Sequence, residues 1–182
     1  MHLRRWVVAG VATVVVAGGA AVYLWRAQAP AHVRPGNTVS LRDGQVTFRA
    51  PKGWRREACP SCSSGCVSFR PPGGAAGDLG DAVTVIVATP DPHAPEGDIS
   101  RLLLDPAFSA GGRARYFTVD GVRFVQIHMD AVTSPVAQPP STQVLGVLPN
   151  NDDVRVGCWE QAEPDLVRAG CQVVIDSLHV RA

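Results

Sequence analysis

Residues Ala82 to Ala88 read AVTVIVA, with β-branched side chains at Val83, Thr84, Val85, Ile86 and Val87. In an extended chain successive side chains point to opposite faces, so this segment is apolar on both, which predicts a central strand covered on both sides. The neighbouring segments keep the same period of two. Val46, Phe48 and Ala50 alternate with Gln45, Thr47 and Arg49 up to Pro51-Lys52-Gly53, the pattern of a half-buried strand. Val67 to Arg70 gives a further short strand. Tyr116 to Val119 and Val122 to Ala131 flank Asp120-Gly121, a two-residue hairpin signal, and Thr142 to Leu148 and Val154 to Cys158 flank Asn150-Asn151-Asp152.

Two segments switch to helical spacing. Asp98 can cap a short helix over Ile99 to Leu104, with Ile99, Leu102 and Leu103 on one face and Asp105-Pro106 ending it. Pro164 suits a first helical position, and Val167, Cys171, Val174, Ile175 and Leu178 recur at three- and four-residue steps. Gly170 weakens the first half of that helix by about 1 kcal/mol, which makes Ala169 an alternative start. The fold class is α+β, a mainly antiparallel sheet of about six to seven strands flanked by helices.

Upstream, residues Trp6 to Trp25 form an uncharged run, WVVAGVATVVVAGGAAVYLW. A helix of that length spans about 30 Å, the hydrocarbon thickness of a bilayer. Arg4 and Arg5 precede it, so the positive-inside rule places residues 1–5 in the cytoplasm, and Trp6, Tyr23 and Trp25 fall at interfacial positions. The expected order is a transmembrane helix or uncleaved signal anchor at 6–25, a tether at 26–37 and an extracytoplasmic domain at 38–182. The competing reading is a secreted protein, cleaved at Ala27-Gln28-Ala29 or Ala29-Pro30-Ala31. An apolar run of this length and the proline after Ala29 argue for retention.

Charge excludes one class of function. All 16 Asp and Glu occur from Asp43 onward, whereas three of the 17 Lys and Arg, namely Arg4, Arg5 and Arg26, flank the apolar run. The expected ectodomain is therefore slightly acidic, unlike the basic footprint that nucleic acid requires.

The five cysteines, Cys59, Cys62, Cys66, Cys158 and Cys171, all lie beyond the apolar run, where oxidising conditions let disulfides persist. Cys158 shares a strand face with Val154 and Val156, and Cys171 lies on the apolar face of the last helix, so packing that helix on the sheet brings them together. Two buried free thiols are the alternative. The cluster CPSCSSGC allows several readings: three ligands of a zinc site, a CPSC redox pair, or a Cys59–Cys66 disulfide that leaves Cys62 as an odd thiol able to join two chains.

No HExxH, GxSxG, P-loop or EF-hand pattern occurs, and neither a catalytic residue nor a cofactor or metal is expected. His128 is the one histidine on a strand with polar neighbours, Gln126 and Asp130 on its face; it reads as a general base or, more simply, as a rim histidine. Trp54 and Trp159 either line a groove or cover core edges. Asp152 and Asp153 read as solvated turn residues.

Three segments, Phe48-Arg49-Ala50-Pro51-Lys52-Gly53-Trp54, Val154-Arg155-Val156-Gly157-Cys158 and Gly170-Cys171-Gln172-Val173-Val174-Ile175-Asp176-Ser177-Leu178, together resemble the extracytoplasmic domain of actinobacterial type VII secretion-associated proteins. That domain is similar to the PsbP-like fold also found in LpqN-type mycobacterial lipoproteins. Over Thr38 to Ala182 the resemblance implies an antiparallel sheet flanked by helices, a membrane-anchored position and a bridge between the last strand and last helix. It implies no catalytic residues. The expected function is a membrane-anchored binding or assembly module with a protein or cell-envelope partner. The alternatives are a redox or metal-binding protein using Cys59, Cys62 and Cys66, and a structural dimer scaffold.

Overall fold

The computed structural model describes residues 32–59, 65–75, 80–90, 114–131 and 138–181. The expected span 6–25, the helix Ile99 to Leu104 and Cys62 lie outside the described residues. Ten strands and one helix are described: β1 (Pro35–Leu41), β2 (Val46–Pro51), β3 (Arg55–Glu57), β4 (Cys66–Arg70), β5 (Ala82–Ala88), β6 (Ala114–Val119), β7 (Val122–Met129), β8 (Ser141–Val147), β9 (Asp153–Trp159), α1 (Pro164–Asp176) and β10 (His179–Val180). They form a seven-stranded sheet in the order β3-β4-β5-β9-β8-β7-β6 and a three-stranded sheet in the order β1-β2-β10. The pairings within both sheets are antiparallel.

The large sheet buries one face. Its register aligns Val67, Val85, Val156 and Val144 across four strands, and all four are essentially inaccessible to water. Each such side chain contributes about 1.5–3 kcal/mol relative to exposure. The opposite face carries Thr84, Ile86, Leu145 and Val147, which are only half-buried. The strand is thus interior to the sheet, with one face fully buried and the other partly covered among the described residues. Phe48 of β2 meets Phe69 of β4 edge-on at 6.1 Å, which welds the small sheet to the large one. Phe124 of β7 lies over its partner Gly146 on β8, where any Cβ would collide with the ring, and stacks on Phe117 of β6 at 5.7 Å.

The turns follow the sequence. Asp120 and Gly121 both have positive φ, +46° and +86°, so the β6–β7 loop is a two-residue turn of the mirror-image kind that matches strand twist. The β8–β9 turn differs from expectation, because Asp152 and Asp153 are 7% and 1% exposed. Asp152 accepts hydrogen bonds from Thr89 Oγ1 at 2.7 Å and Asn150 Nδ2 at 3.0 Å, and Arg155 donates to Asp153 at 3.1 Å. Thr89 comes from a segment distant in sequence, Asn150 from the turn itself and Arg155 from two residues along β9, and together they replace the water that a turn carboxylate would otherwise hold.

The helix begins at Pro164, so Gly170 does not delay its start. Glu163 precedes it without offering a side-chain cap. The link into the helix is held from elsewhere: the carboxylate of Asp81, fully buried just before β5, accepts backbone N–H bonds from Gln161 (2.8 Å), Ala162 (3.0 Å) and Glu163 (3.1 Å), and from Ala75 at 2.9 Å. Burial alone would raise its pKa, but these donors favour the charged form and hold it below the ordinary aspartate value. The stabilisation is thus present above the unfolded aspartate value and lost as pH falls through the lowered native one. Asp81→Asn keeps the shape and removes the charge, and it should lower unfolding free energy by about 2 kcal/mol in urea titrations at neutral pH. The loss should shrink in the same titrations at acid pH, where wild-type Asp81 is itself protonated.

Candidate binding site

Strand β2 ends at Pro51, and Trp54 N–H donates to Pro51 O at 3.3 Å across Lys52 and Gly53. Gly53 has φ +83°, the left-handed value that this turn requires at its third residue and that glycine takes without a steric penalty. The turn swings the chain from the small sheet to β3 of the large one and sets the indole of Trp54 against α1. There Gly170 is buried, and a Cβ on it would overlap the indole ring. The glycine is a seat for the tryptophan.

A cavity of about 650 Å³ opens beside this turn, lined among others by Arg49, Lys52, Trp54, Arg56 and Phe69. Two smaller ones, of about 330 and 420 Å³, adjoin it: the first shares Lys52 and Trp54 and adds Arg34, and the second shares Gly53 and adds Arg55 and Arg70. Among the described residues, no carboxylate lines any of the three. Arg55 and Arg70 share one carboxylate, that of Glu57, at 2.6 and 3.2 Å. Burial would raise the Glu57 pKa, but the hydrogen bonds and charges of those two arginines outweigh it and hold it low. Arg49 Nε is spent on Gly36 O at 2.7 Å. Arg34, Lys52 and Arg56 have no ion-pair partner among the described residues. The result is a groove with an aromatic wall and uncompensated cations, chemistry suited to an anion with an apolar flank.

The sequence reading reached Trp54 but not its basic company. The run Trp54-Arg55-Arg56 after a turn was a signal in plain view; Arg34 and Arg49 join it only through strand pairing, as β1 runs back along β2. Trp159 closes the central strand β9, half-buried beside Ser141 and Ala82, and lines none of these three cavities.

His128 takes a different part from the general base. It is exposed on β7, and its Nδ1 lies 3.3 Å from Thr142 Oγ1, which donates to Glu160 Oε1 at 3.2 Å. Because the hydroxyl proton is committed to Glu160, the bond from the ring is completed with Nδ1–H as donor. Glu160, 2% exposed, also pairs with Arg168 of α1 at 3.3 Å. The chain ties three strands to the helix and leaves the threonine oxygen without a base.

Two disulfides are present. Cys59–Cys66 has a Cα separation of 5.9 Å and Cys158–Cys171 one of 6.0 Å. The second joins β9 to α1 within the core, where Cys158 and Cys171 are almost fully buried. With Cys59 bonded to Cys66, the cluster does not present three thiolates to a metal, and Cys59 is not free to pair with Cys62.

No family model matches the chain, and no curated protein matches it. Among solved structures it is similar to the cyanobacterial PsbP of Synechocystis, with TM-score 0.51 and 15% identity, over 80% of this chain and 92% of that one. It also aligns with the Ran-binding protein Mog1p of Saccharomyces cerevisiae, with TM-score 0.46 and 10% identity, over 81% and 96% of the two chains. The chain thus has a PsbP-like fold of antiparallel sheets and a helix.

The seat of Trp54 can be tested directly. Gly170→Ala gains about 1 kcal/mol of helix propensity but overpacks the indole, and the net change should be a loss of about 1–2 kcal/mol in thermal or urea unfolding. In a Trp54→Leu background the same substitution should become neutral or stabilising.

Proposed function

We propose that this chain is a non-catalytic binding or assembly module, held by residues 6–25 at the outer face of a membrane and presenting its PsbP-like domain outside the cytoplasm. The observation that carries the reading is the groove around Trp54, where Arg34, Lys52 and Arg56 stand without counter-ions among the described residues. Holding like charges together around a concavity costs stability through mutual repulsion, and a bound anion repays that cost. The two disulfides support the extracytoplasmic setting, since such bonds persist where thiols oxidise. The likeness of three chain segments to type VII secretion-associated proteins supports a place beside a secretion apparatus or another envelope assembly, with a protein or envelope molecule as partner.

Two measurements check this. Protease added to intact cells should remove the domain from 38 onward, and a domain fully protected until lysis argues against the topology. Cross-linking in the native envelope followed by affinity capture of the full chain should recover one defined partner. A disulfide-linked dimer on a non-reducing gel, with nothing else captured, would favour the scaffold reading through Cys62.

A further inference from the structure

Resting on the membrane-anchored reading above, we propose that the groove around Trp54 holds the phosphate headgroup of an anionic phospholipid in the same membrane that the chain is anchored to. Four features of the groove lead to this ligand. Among the described residues, the cavities that share Lys52, Gly53 and Trp54 contain arginines and the lysine but no carboxylate, whereas the cavity beside Asp120 and Asp176 mixes both signs. Positive potential is therefore local on a domain whose total charge is slightly acidic. Guanidinium groups match phosphate oxygens with forked hydrogen bonds, and an ammonium adds a point charge.

Position selects the source of the phosphate. Lys52 N–H donates to Arg34 O at 2.8 Å, so the basic turn is fastened to the first described residues of the domain. Only residues 26–31 lie between Trp25 and His32, and the seven Cα steps across them reach at most about 25 Å when fully extended. A link that short lets the basic groups approach an anionic bilayer to within the Debye length of about 8 Å at physiological salt, where they are attracted to it. The half-buried indole of Trp54 beside these cations is of the kind that settles at the headgroup level.

Lys52 is the only lysine in the chain, so amine acylation followed by peptide mapping reads the groove at one atom. The full chain would be reconstituted in nanodiscs of phosphatidylcholine alone and of phosphatidylcholine mixed with phosphatidylglycerol. Acylation of Lys52 should slow about threefold or more in the mixed discs, and the difference should vanish near 1 M salt, where screening is strong. It should also vanish in an Arg34→Gln/Arg56→Gln variant with an unchanged melting transition.

Equal rates in the two discs overturn the proposal, as does equal slowing in the variant, which would be a general surface-potential effect. Protection in phosphatidylcholine discs by inorganic phosphate or by poly-glutamate, with none from phosphatidylglycerol, overturns it in favour of a free anion or an acidic protein. Failure of the chain to enter phosphatidylcholine discs removes the anchor and the proposal together, while entry with equal Lys52 rates removes the proposal alone.

Discussion

Asp81 sits where three parts of the chain meet, and its two oxygens receive backbone donors from two of them. Ala75 belongs to the loop that precedes β5, and Gln161 to Glu163 form the link from β9 into α1. Arg70 of β4 reaches the same corner, donating to Ala75 O at 2.7 Å. One buried charge thereby fixes where the helix starts relative to the central strands. The Cys158–Cys171 bridge holds the same helix to β9 further along. With entry point and middle both fixed, Gly170 arrives opposite Trp54, and the groove gains its aromatic wall.

The groove is a by-product of having two sheets. A chain passing from the small sheet to the large one must turn between Pro51 and Arg55, and the turn cannot be covered by either sheet. Its side chains are left at a seam, concave and half-exposed. The Phe48–Phe69 contact closes the floor of that seam, while Arg49, Lys52 and Arg56 line it from β2, the turn and β3 in that order. The packing constraint thus decides where a surface for binding can exist, and the residue types decide what it attracts.

Local patterns made much of this legible. Alternation revealed β2, a β-branched run apolar on both faces revealed β5, the turn signals at Asp120-Gly121 and Asn150-Asn151-Asp152 revealed the hairpins of β6 to β9, and helical spacing with Pro164 revealed α1. The remainder depended on partners far apart in sequence. β1 begins at Pro35, in what reads as tether, and carries little apolar alternation of its own; β3 and β10 have three and two residues, too short for any period. Gly170 reads as a helix weakness until the indole above it is seen. Asp152 and Asp153 read as solvated because turn carboxylates usually are, and nothing near them in sequence announces Thr89 or Arg42. Asp81 lies ahead of a hydrophobic strand, where its buried role is set by backbone donors some eighty residues away.

The pairing of β10 with β2 also sets the order of events during synthesis. Val180 aligns with Val46, and Arg181 N–H donates to Gln45 O at 2.8 Å. A hairpin of β1 and β2 that emerges early therefore waits with one edge unmatched until residues near 180 have left the ribosome. Through that interval Val46 and Phe48 lack their final cover, and the open edge is a place where the nascent domain can meet another chain.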